Sequence, residues 1–385
     1  MPSGWVATLL EGYDRRVAVE LDRHPHARAV LAPALASPAR PSHAYLFHGP
    51  GGSGKRAVAR ELAAALLSEG APDPGNASAR AIGGVHPDLT WVTPSGAHEI
   101  LVSDVDGPVI LAASRTPFES SRRVFVIERA DELGDEAANR MLKTLEEPPP
   151  FVHLILLTDR LGEVLPTIRS RCQAVRFEAP DEPDAAAALL AAGVDEPLAL
   201  ACVRLALQDS ERARELASED GRALRTAAQR YAQAAVTSEM ATLRPWVELL
   251  RAARARGELA GVALQERERA ELELTSRKER RRVENEWSDR IRRVKRRVQT
   301  GALDLGLQLV SLWFSDLAAL AWGADSLVRN VDRLGDLREH PGVAPAQAFA
   351  AIELVEETRR RFELNVSEEL ACEALAYRLQ EVLAR

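Results

Sequence analysis

A glycine-rich loop near the start of the sequence has the clearest capacity for chemistry. The stretch Gly49-Pro-Gly-Gly-Ser-Gly-Lys55 follows the apolar run Ala44 to His48 and precedes a segment, Arg56 to Leu67, of helix-forming composition. Where such a loop joins a strand to a helix, its backbone N–H groups converge on an anion and its lysine reaches the terminal phosphates of a nucleotide. We therefore predict a phosphate-binding loop, whose contacting residues would be Gly49, Gly51, Gly52, Ser53, Gly54 and Lys55.

The residue that follows the loop is unsuited to ATP hydrolysis. The phosphate-loop motif continues with serine or threonine, whose hydroxyl binds Mg²⁺, but this chain has Arg56. A guanidinium group only donates hydrogen bonds, so it cannot ligate a cation. We predict that the loop does not hydrolyse ATP. Two interpretations stay open: the loop binds nucleotide without hydrolysis, or it only shapes the fold.

The elements that must position this loop are predicted from apolar runs farther along the chain. Arg123 to Ile127 and Phe151 to Leu157 have the composition of buried parallel strands. Between them, Glu136 to Glu147 is a predicted helix, which the prolines from 148 to 150 end. A strand followed by a helix is also predicted over 100–113. This alternation of strands and helices predicts an α/β fold around a parallel sheet.

Four short motifs occur in an order and spacing typical of one family. They are His43 to Gly49, His86-Pro-Asp-Leu89, Asn139 to Pro149 and Thr167 to Cys172. Together they resemble the clamp-loader subunits of bacterial DNA polymerase III, which are AAA+ proteins. The resemblance covers most of residues 40–178. It implies a P-loop-type parallel sheet with flanking helices, a small helical lid domain and an all-α collar domain.

The resemblance gives Arg171, within the tripeptide Ser170-Arg171-Cys172, the role of an arginine finger. In the family this arginine projects into the ATP site of the neighbouring subunit. Its forked, permanently charged group there stabilises the charge that spreads over the oxygens of the transferred phosphoryl group. We predict that Arg171 acts in trans, with Ser170 and Cys172 as its motif neighbours. The alternative is that Arg171 makes only a local salt bridge.

The resemblance also indicates a second departure at the chain's own nucleotide site. Where hydrolysing relatives have Asp-Glu-Ala-Asp, this chain has Glu128-Arg129-Ala130-Asp131. Glu128 could still hold Mg²⁺ through water, whereas Arg129 cannot polarise the attacking water as a glutamate would. Thr158 matches the position called sensor 1, which would feel a γ-phosphate. Beside so altered a site, a structural role is the favoured interpretation of Thr158.

No metal site is predicted. Relatives commonly have four zinc-binding cysteines in the segment 68–85, which we predict to be a loop, but this sequence has no cysteine before Cys172. Zinc requires thiolate, imidazole or carboxylate ligands at close spacing. His86 and His98 are therefore interpreted as a turn residue and a surface residue.

The composition limits the remaining possibilities. A formal net charge of −7 excludes a chain that is basic as a whole, so any nucleic-acid surface must be local. No apolar run approaches the roughly eighteen residues that a membrane span needs, and the amino terminus lacks the pattern of a signal peptide. Three widely spaced cysteines offer no disulfide framework. These features predict a soluble cytoplasmic protein.

The chain divides into three predicted domains. They are an AAA+ nucleotide-binding-like domain over 1–178, a small helical lid over 179–224 and a helical collar over 225–385 that would hold a ring together. Two short helices are predicted before residue 40, with Val17 and Leu21 on one face of the first. In the lid, Arg212 could match the arginine called sensor 2, although a solvated surface charge is favoured.

The predicted collar contains an unusual charged insertion over 265–299. It lies between the predicted helices Arg225 to Ala255 and Leu303 to Ala321, and Glu373 to Leu383 resembles the family's final helix. We predict that the insertion is one continuous helix, because its apolar residues recur on one helical face: Val283, Trp287, Ile291, Val294 and Val298. Its many arginines allow two interpretations, a solvated helix with one packed stripe or a basic surface that contacts DNA or a partner.

The sequence as a whole predicts a stationary subunit of a hetero-oligomeric clamp-loader ring that acts in DNA replication. Its partners would be gamma/tau-like motor subunits, a delta-like subunit and, through the complex, the sliding clamp and primed DNA, with ATP bound at the neighbouring subunit. One alternative is an ATP-hydrolysing motor of the gamma/tau type, against which Arg56 and Arg129 argue. Another is an unrelated AAA+ regulator or helicase loader, against which Leu142 to Pro148 and the collar-like carboxyl terminus argue.

Overall fold

The structure is a computed structural model that describes residue 21 and residues 24–36, 40–95, 99–179, 181–274, 280–340, 342–362 and 366–384. The chain forms two compact units, Met1–Ala179 and Pro180–Arg385. The predicted helix that contains Val17 and the predicted surface position of His98 lie outside the described residues.

A five-stranded parallel sheet forms the centre of the first unit. Its spatial order is β2-β3-β4-β1-β5, and its strands are β1 (Ala44–His48), β2 (Leu89–Val92), β3 (Arg123–Ile127), β4 (Val152–Thr158) and β5 (Gln173–Arg176). Since every pairing is parallel, all carboxyl ends lie along one edge and all amino ends along the other. The predicted α/β fold is confirmed. The strands β2 and β5 are missed by the sequence analysis because each has four residues, of which only one is fully buried.

Helices cover both faces of this sheet. They are α1 (Pro25–Leu35), α2 (Lys55–Ser68), α3 (Pro74–Ile82), α4 (Val102–Val105), α5 (Asp135–Glu146) and α6 (Pro166–Arg169), with a π-helical segment at Asp106–Leu111 and 3₁₀ turns at Ala130–Glu132 and Leu161–Glu163. Alternate residues of a strand point to opposite faces. Phe47 therefore joins the core that contains Leu62 of α2, and Leu46 joins the core that contains Met141 of α5. Burial on both faces explains why the strands are almost continuously apolar.

The prediction of a loop over 68–85 is wrong for residues 74–82, which form α3. The Asp73 carboxylate caps this helix by accepting the backbone N–H of Asn76 at 3.0 Å. Pro74 occupies the first turn, where its missing N–H costs nothing. The Asp-Pro pair was therefore a helix-start signal that the loop interpretation overlooked.

The strand predicted from Ile100 is reduced to a single bridge with Leu133, and helical structure begins at Val102. The Asp104 carboxylate accepts the backbone N–H of Leu101 at 3.0 Å and that of Ser95 at 3.1 Å. These two bonds connect the residues before the helix to its first turn. The sequence pattern could not show this, because the bridge joins positions more than thirty residues apart.

His86 is buried, and not simply a turn residue. Its Nδ1 accepts the backbone N–H of Asp88 at 3.1 Å, and its Nε2 lies 3.1 Å from the Glu119 carboxylate. Asp88 is itself fully buried and accepts the backbone N–H groups of Phe118, Glu119 and Ser120. Burial is the main cause that lowers the pKa of His86. This network fixes the loop before β3 against the start of β2.

The described part of the second unit is helical, as predicted for the carboxyl-terminal half. Its helices are α7 (Glu182–Ala191), α8 (Glu196–Leu205), α9 (Ser210–Ala217), α10 (Glu219–Val236), α11 (Met240–Leu243), α12 (Pro245–Leu274), α13 (Arg280–Ala321), α14 (Leu334–Arg338), α15 (Pro345–Arg361) and α16 (Glu368–Leu383). One apolar core contains Leu216 of α9, Leu224 of α10 and Trp313 of α13. The division of this unit into a lid over 179–224 and a collar over 225–385 stays a prediction. Arg212, the residue considered for the sensor 2 position, donates a hydrogen bond to the side-chain oxygen of Gln308 in α13 at 3.4 Å.

The helix predicted from Arg225 to Ala255 is interrupted. The helix α10 ends at Val236, and α12 begins at Pro245. Between them, Ser238 and Arg244 have left-handed backbone conformations, with φ of 61° and 46°, which a helix cannot accommodate.

The charged insertion 265–299 is not one continuous helix, so that prediction is wrong. Its first part belongs to α12 and its second to α13, and these helices pack side by side in opposite directions. A side chain on Gly257 would meet the backbone of Lys295, whereas Leu264 and Leu272 pack farther along, on the cluster of Val283, Trp287 and Ile291. Of the predicted stripe, Val283, Trp287 and Ile291 are buried, whereas Val294 and Val298 are only partly buried. The apolar period thus predicted part of the stripe correctly. It could not show that the partner of this stripe comes from the same insertion.

One stretch within α13 is apolar enough over eighteen residues to cross a membrane by length and composition, contrary to the sequence expectation. Of that stretch, 72% is buried inside the protein, as for the core helix of a folded unit.

Candidate functional site

The glycine-rich loop lies at the carboxyl edge of the sheet, between β1 and α2. A side chain at Gly49, where φ is 149°, would place its Cβ 2.3 Å from the carbonyl oxygen of Phe177. Gly52 and Gly54 have φ of 70° and 82°, a left-handed conformation that favours glycine. Three of the loop glycines are thus required by backbone geometry alone, whether or not the loop binds a phosphate.

Lys55 is buried, and its ammonium group is engaged by the chain itself. The Nζ atom donates to the carbonyl oxygens of Gly49 at 2.7 Å and Pro50 at 2.6 Å, and to the Ser53 hydroxyl at 3.3 Å. It also pairs with the carboxylate of Asp159, directly after β4, at 2.8 Å. The charge that would meet a terminal phosphate is therefore balanced by an acid of the same chain.

Arg56 stands where the motif expects the magnesium ligand, and it contacts the acid that could assist that ion. Its Nη2 lies 2.7 Å from Oε2 of Glu128, and the indole N–H of Trp91 donates to Oε1 at 2.7 Å. The Glu128 side chain is only 11% exposed. Both carboxylate oxygens are thus used by donors of the chain itself. The residues present do not fit a magnesium ion held between position 56 and Glu128.

The side chains of the segment after β3 also contact residues of the same chain. Arg129 has a left-handed backbone, with φ of 57°, and its Nη2 lies 2.6 Å from the carboxylate of Glu132. The Thr158 hydroxyl donates to Asp131 at 2.7 Å, and the same carboxylate pairs with Arg160 at 2.9 Å. The polar groups at the ends of β3 and β4 therefore form a connected network of their own.

Arg171 lies in the turn between α6 and β5 and is held by Glu146, the last residue of α5. Its Nη2 lies 2.5 Å from Oε1 of Glu146, and its Nη1 donates to the carbonyl oxygen of Thr167 at 2.9 Å and to the Ser170 hydroxyl at 3.2 Å. The arginine and glutamate side chains are 34% and 47% exposed. The local salt bridge that the sequence analysis weighed is present, and the arginine still faces solvent.

The two neighbours of Arg171 differ in environment. The Ser170 hydroxyl is exposed and also donates to the carbonyl oxygen of Thr167 at 3.2 Å. Cys172 packs against the core beneath, and burial raises the pKa of its thiol to about 12. The thiol is therefore protonated at neutral pH and acts as an apolar anchor for the turn.

Arg171 and the phosphate loop lie at opposite edges of the sheet. Gln173 of β5 lies beside Tyr45 of β1. Arg171 comes two residues before Gln173, on the amino side, whereas Gly49 comes four residues after Tyr45, on the carboxyl side. Four strand residues span about 13 Å. Arg171, which is also tied to Glu146, is thus remote from its own phosphate loop.

Sequence reasoning missed three residues that complete these contacts, Trp91, Asp159 and Glu146. Asp159 comes two residues after the predicted strand Phe151 to Leu157, and polar residues at the carboxyl ends of parallel strands are candidates for a ligand site, so it could have been found. Trp91 lies in the strand that the sequence analysis missed. Glu146 is adjacent to Glu147, and no pattern in the sequence separates the two.

No candidate metal centre is present in the part of the chain that the structure describes, where no cluster of three or more histidine, cysteine and acidic residues is placed to hold an ion. Cys202 and Cys372 are buried in the second unit. Burial raises the pKa of both thiols, that of Cys372 to about 12.

The parallel sheet, the glycine-rich loop at its carboxyl edge and the arginine-bearing tripeptide before β5 define an α/β domain with a phosphate-loop-like strand–loop–helix unit. Residues 24–181 match the family described as DNA polymerase III, delta subunit. The chain is 36% identical over 143 residues to DNA polymerase III subunit delta' of Pseudomonas aeruginosa and 37% identical over 143 residues to that of Bacillus subtilis. It is 36% identical over 145 residues to subunit tau of Bacillus subtilis. The resemblance predicted from the four motifs is confirmed, and it is to clamp-loader subunits of the delta-prime type.

The similarity to these relatives is partial in length. Each of the three alignments covers 36% of this chain, and they cover 44%, 43% and 25% of the respective relatives, so the chain spans less than half the length of each. A solved structure of a DNA polymerase III gamma subunit-related protein from Thermotoga maritima is 16% identical. Its alignment covers 89% of this chain and 96% of that one, at a TM-score of 0.43, which does not establish a common arrangement of the whole chain.

Proposed function

We propose that the chain is the delta-prime-type subunit of a bacterial DNA polymerase III clamp loader, a stationary ring member that acts in DNA replication. The observation that carries the proposal is the pair between Arg56 and Glu128. Their contact of 2.7 Å, reinforced by Trp91, takes the place where a hydrolysing subunit would bind magnesium. Such a subunit does not turn over ATP itself, so it must contribute to an ATP-driven machine in another way.

Arg171 makes that contribution in this proposal, as an arginine finger for ATP bound to the neighbouring subunit. It is partly exposed and lies at the edge opposite its own phosphate loop, so a nucleotide on another chain is the accessible target. An arginine that meets the γ-phosphoryl group stabilises its developing charge, which is worth about 10³–10⁵ in turnover in GTPases. Binding of nucleotide to the chain's own loop is not required for this role.

The partners in this proposal are motor subunits of the gamma/tau type and a delta-like subunit. They would be contacted through the second, helical unit and through the face that carries Arg171. The sliding clamp and primed DNA would be reached through the assembled complex, in the cytoplasm. We further propose that the chain uses no zinc, since it has no cysteine before Cys172.

An ATP-hydrolysing motor subunit of the gamma/tau type is the competing function. It is favoured by the retained loop glycines and Lys55, and by the similarity to subunit tau. ATPase activity of the purified chain alone discriminates the two. We expect no turnover above background, and none in Arg56→Thr, because Arg129 still replaces the water-orienting acid. Robust turnover that Lys55→Ala abolishes would favour the motor function.

Co-purification is the experiment that tests the proposed assignment as a whole. The full chain, tagged at low expression in its own organism, should recover gamma/tau-type and delta-like subunits in stoichiometric amounts. Omission of the chain from a reconstituted complex should abolish clamp loading onto primed DNA. Recovery of a different AAA+ assembly without polymerase III subunits would contradict the proposal.

A further inference from the structure

We propose that Glu146 is a positioning residue for Arg171, a role that rests on the proposed function and adds to it. The carboxylate at the end of α5 would hold the guanidinium group of Arg171 in the orientation that receives a neighbour's phosphate. Glu146 and Arg171 lie 25 positions apart in the sequence and belong to separate elements, yet their side chains approach to 2.5 Å.

The hydrogen bonds of Arg171 leave part of its guanidinium group available. A guanidinium has five N–H donors. Nη2 forms an ion pair with the Glu146 carboxylate, and Thr167 and Ser170 accept hydrogen bonds from Nη1. Among the described residues, the Nε–H has no hydrogen-bond acceptor, and Nη2 has only the ion pair with Glu146. The Nε–H and one N–H of Nη2 lie on the same edge of the planar group, a fork that suits two oxygens of a phosphate.

Because both side chains are partly exposed, Glu146 is suited to positioning Arg171 and unsuited to withholding it from a phosphate. Both side chains face water in part, and an exposed ion pair between such groups is weak and easily exchanged. Glu146 therefore cannot withhold Arg171 from a phosphate, which carries more charge and offers more acceptors. It can, however, restrict the rotamers of a long side chain before the neighbour arrives, which lowers the entropy cost of engaging it.

The adjacent Glu147 provides a matched control. It has the same charge and is also exposed, but it follows the last helical residue of α5 and, within the described part of the chain, makes no ion pair. A Glu-to-Gln change at either position alters the net charge of the chain equally. Only the change at Glu146 alters the group that contacts Arg171.

The test uses the clamp loader reconstituted with the full chain, and it compares Glu146→Gln, Glu147→Gln, Arg171→Ala and the double variant of Arg171 and Glu146. The measured quantity is the Arg171-dependent part of the DNA-stimulated ATPase rate, defined as wild type minus Arg171→Ala. We expect Glu146→Gln to lower this part about fivefold, with the KM for MgATP and the thermal midpoint unchanged. Glu147→Gln should match wild type, and Glu146→Gln should cause no further loss when Arg171 is already alanine.

Each other outcome overturns the proposal in a distinguishable way. A wild-type rate for Glu146→Gln, with a clear loss for Arg171→Ala, would remove the role of Glu146 and leave the proposed function standing. A faster rate would make Glu146 a restraint on Arg171. A loss that persists in the Arg171→Ala background would show that Glu146 acts through another group. If Arg171→Ala itself matches wild type, the proposed function fails, and the role of Glu146 fails with it.

Discussion

The first unit contains two arginine–glutamate pairs at opposite edges of one sheet, and they differ in the burial of the glutamate. At the carboxyl edge, Arg56 contacts Glu128, which is nearly buried and also accepts the indole N–H of Trp91. At the amino edge, Arg171 contacts Glu146, and both of these side chains are partly exposed. We call the first the locked pair and the second the exchangeable pair.

The difference lies in what each arginine would leave behind if it moved to another partner. Loss of Arg56 leaves a carboxylate charge at a nearly buried position, whereas loss of Arg171 leaves Glu146 in contact with water. Uncompensated buried charges cost several kcal/mol, while exposed pairs contribute about 0–1 kcal/mol. The same two residue types thus form one pair whose loss would leave a nearly buried charge and one pair whose loss would leave an exposed charge.

The amino edge should also be the more acid-sensitive of the two, because it carries the buried His153. This side chain, in β4, stacks on His43, and its Nδ1 lies 2.9 Å from the carbonyl oxygen of Ser42. Burial is the largest cause that lowers the pKa of His153 from 6.5 to about 4. Between these values the unfolded chain binds a proton that the folded chain does not, so stability falls as the pH falls from 6.5 to 4.

The expected loss from His153 is about 3 kcal/mol of unfolding free energy at pH 4 relative to neutral pH. It is measured as the difference in the pH dependence of urea unfolding between wild type and His153→Gln, which removes the titrating ring and keeps a polar side chain. Curves that run parallel from pH 7 to pH 4 would show that His153 does not carry this dependence.

Removal of the glutamate from each pair tests the contrast between them directly. Glu128→Ala should cost about 1–3 kcal/mol of unfolding free energy, because it removes the acceptor of the Trp91 indole N–H. Glu146→Ala should cost about 0.5 kcal/mol or less, as for an exposed pair. The comparison is made by urea unfolding of the two full-length variants under identical conditions. Equal costs would remove the distinction between a locked and an exchangeable pair.

Two ion pairs made by α13, in the second unit, also differ in the burial of their acid. Arg296 contacts Glu368, a nearly buried acid that also accepts from Gln299 and Thr300. Arg292 contacts the exposed Asp289, three residues earlier on the same helix, and is itself 79% exposed. The exchangeable arginines of the insertion are therefore those like Arg292, and not Arg296.

This distinction sharpens the test of a basic surface on the insertion. If that surface contacts DNA, the triple change of Arg281, Arg282 and Arg292 to glutamine should weaken binding of the assembled clamp loader to primed DNA. The slope of log affinity against log salt should fall by about 0.9 for each phosphate that the variant no longer neutralises. Arg296→Gln serves as the control for a change that affects packing. An unchanged salt slope in the triple variant would favour the solvated helix with one packed stripe.

The centre of the fold could be predicted because its strands are long and apolar on both faces. β1, β3 and β4 follow directly from that pattern, whereas β2 and β5 could not, since short strands near the edges bury too few residues to be recognised. The insertion shows another limit. Periodicity located the stripe of Val283, Trp287 and Ile291, but the choice of its partner depends on a reversal of the chain that no local pattern encodes.

The candidate site also has features that the sequence could predict and features that it could not. Arg56 and Arg129 can be recognised from the sequence as departures from a hydrolysing site, because a guanidinium neither binds magnesium nor polarises water as a glutamate does. The partner of each arginine was not predictable, since it depends on strand register and on where a helix ends. Glu146 and Glu147 are chemically identical neighbours, and only the fold brings one of them to Arg171.

The central claim is that this chain contributes an arginine to a neighbour's ATP and hydrolyses none itself, and Arg171→Ala in the reconstituted ring tests it most directly. We expect the variant to fold and assemble as wild type does, because the residue it removes is partly exposed. The DNA-stimulated ATPase rate and clamp loading should both fall, by the part of each rate that depends on the ATP site that Arg171 contacts. Arg171→Lys should restore little, because an ammonium group keeps the charge and loses the fork. Wild-type rates in both assays would contradict the account and leave Arg171 as the partner of a surface salt bridge.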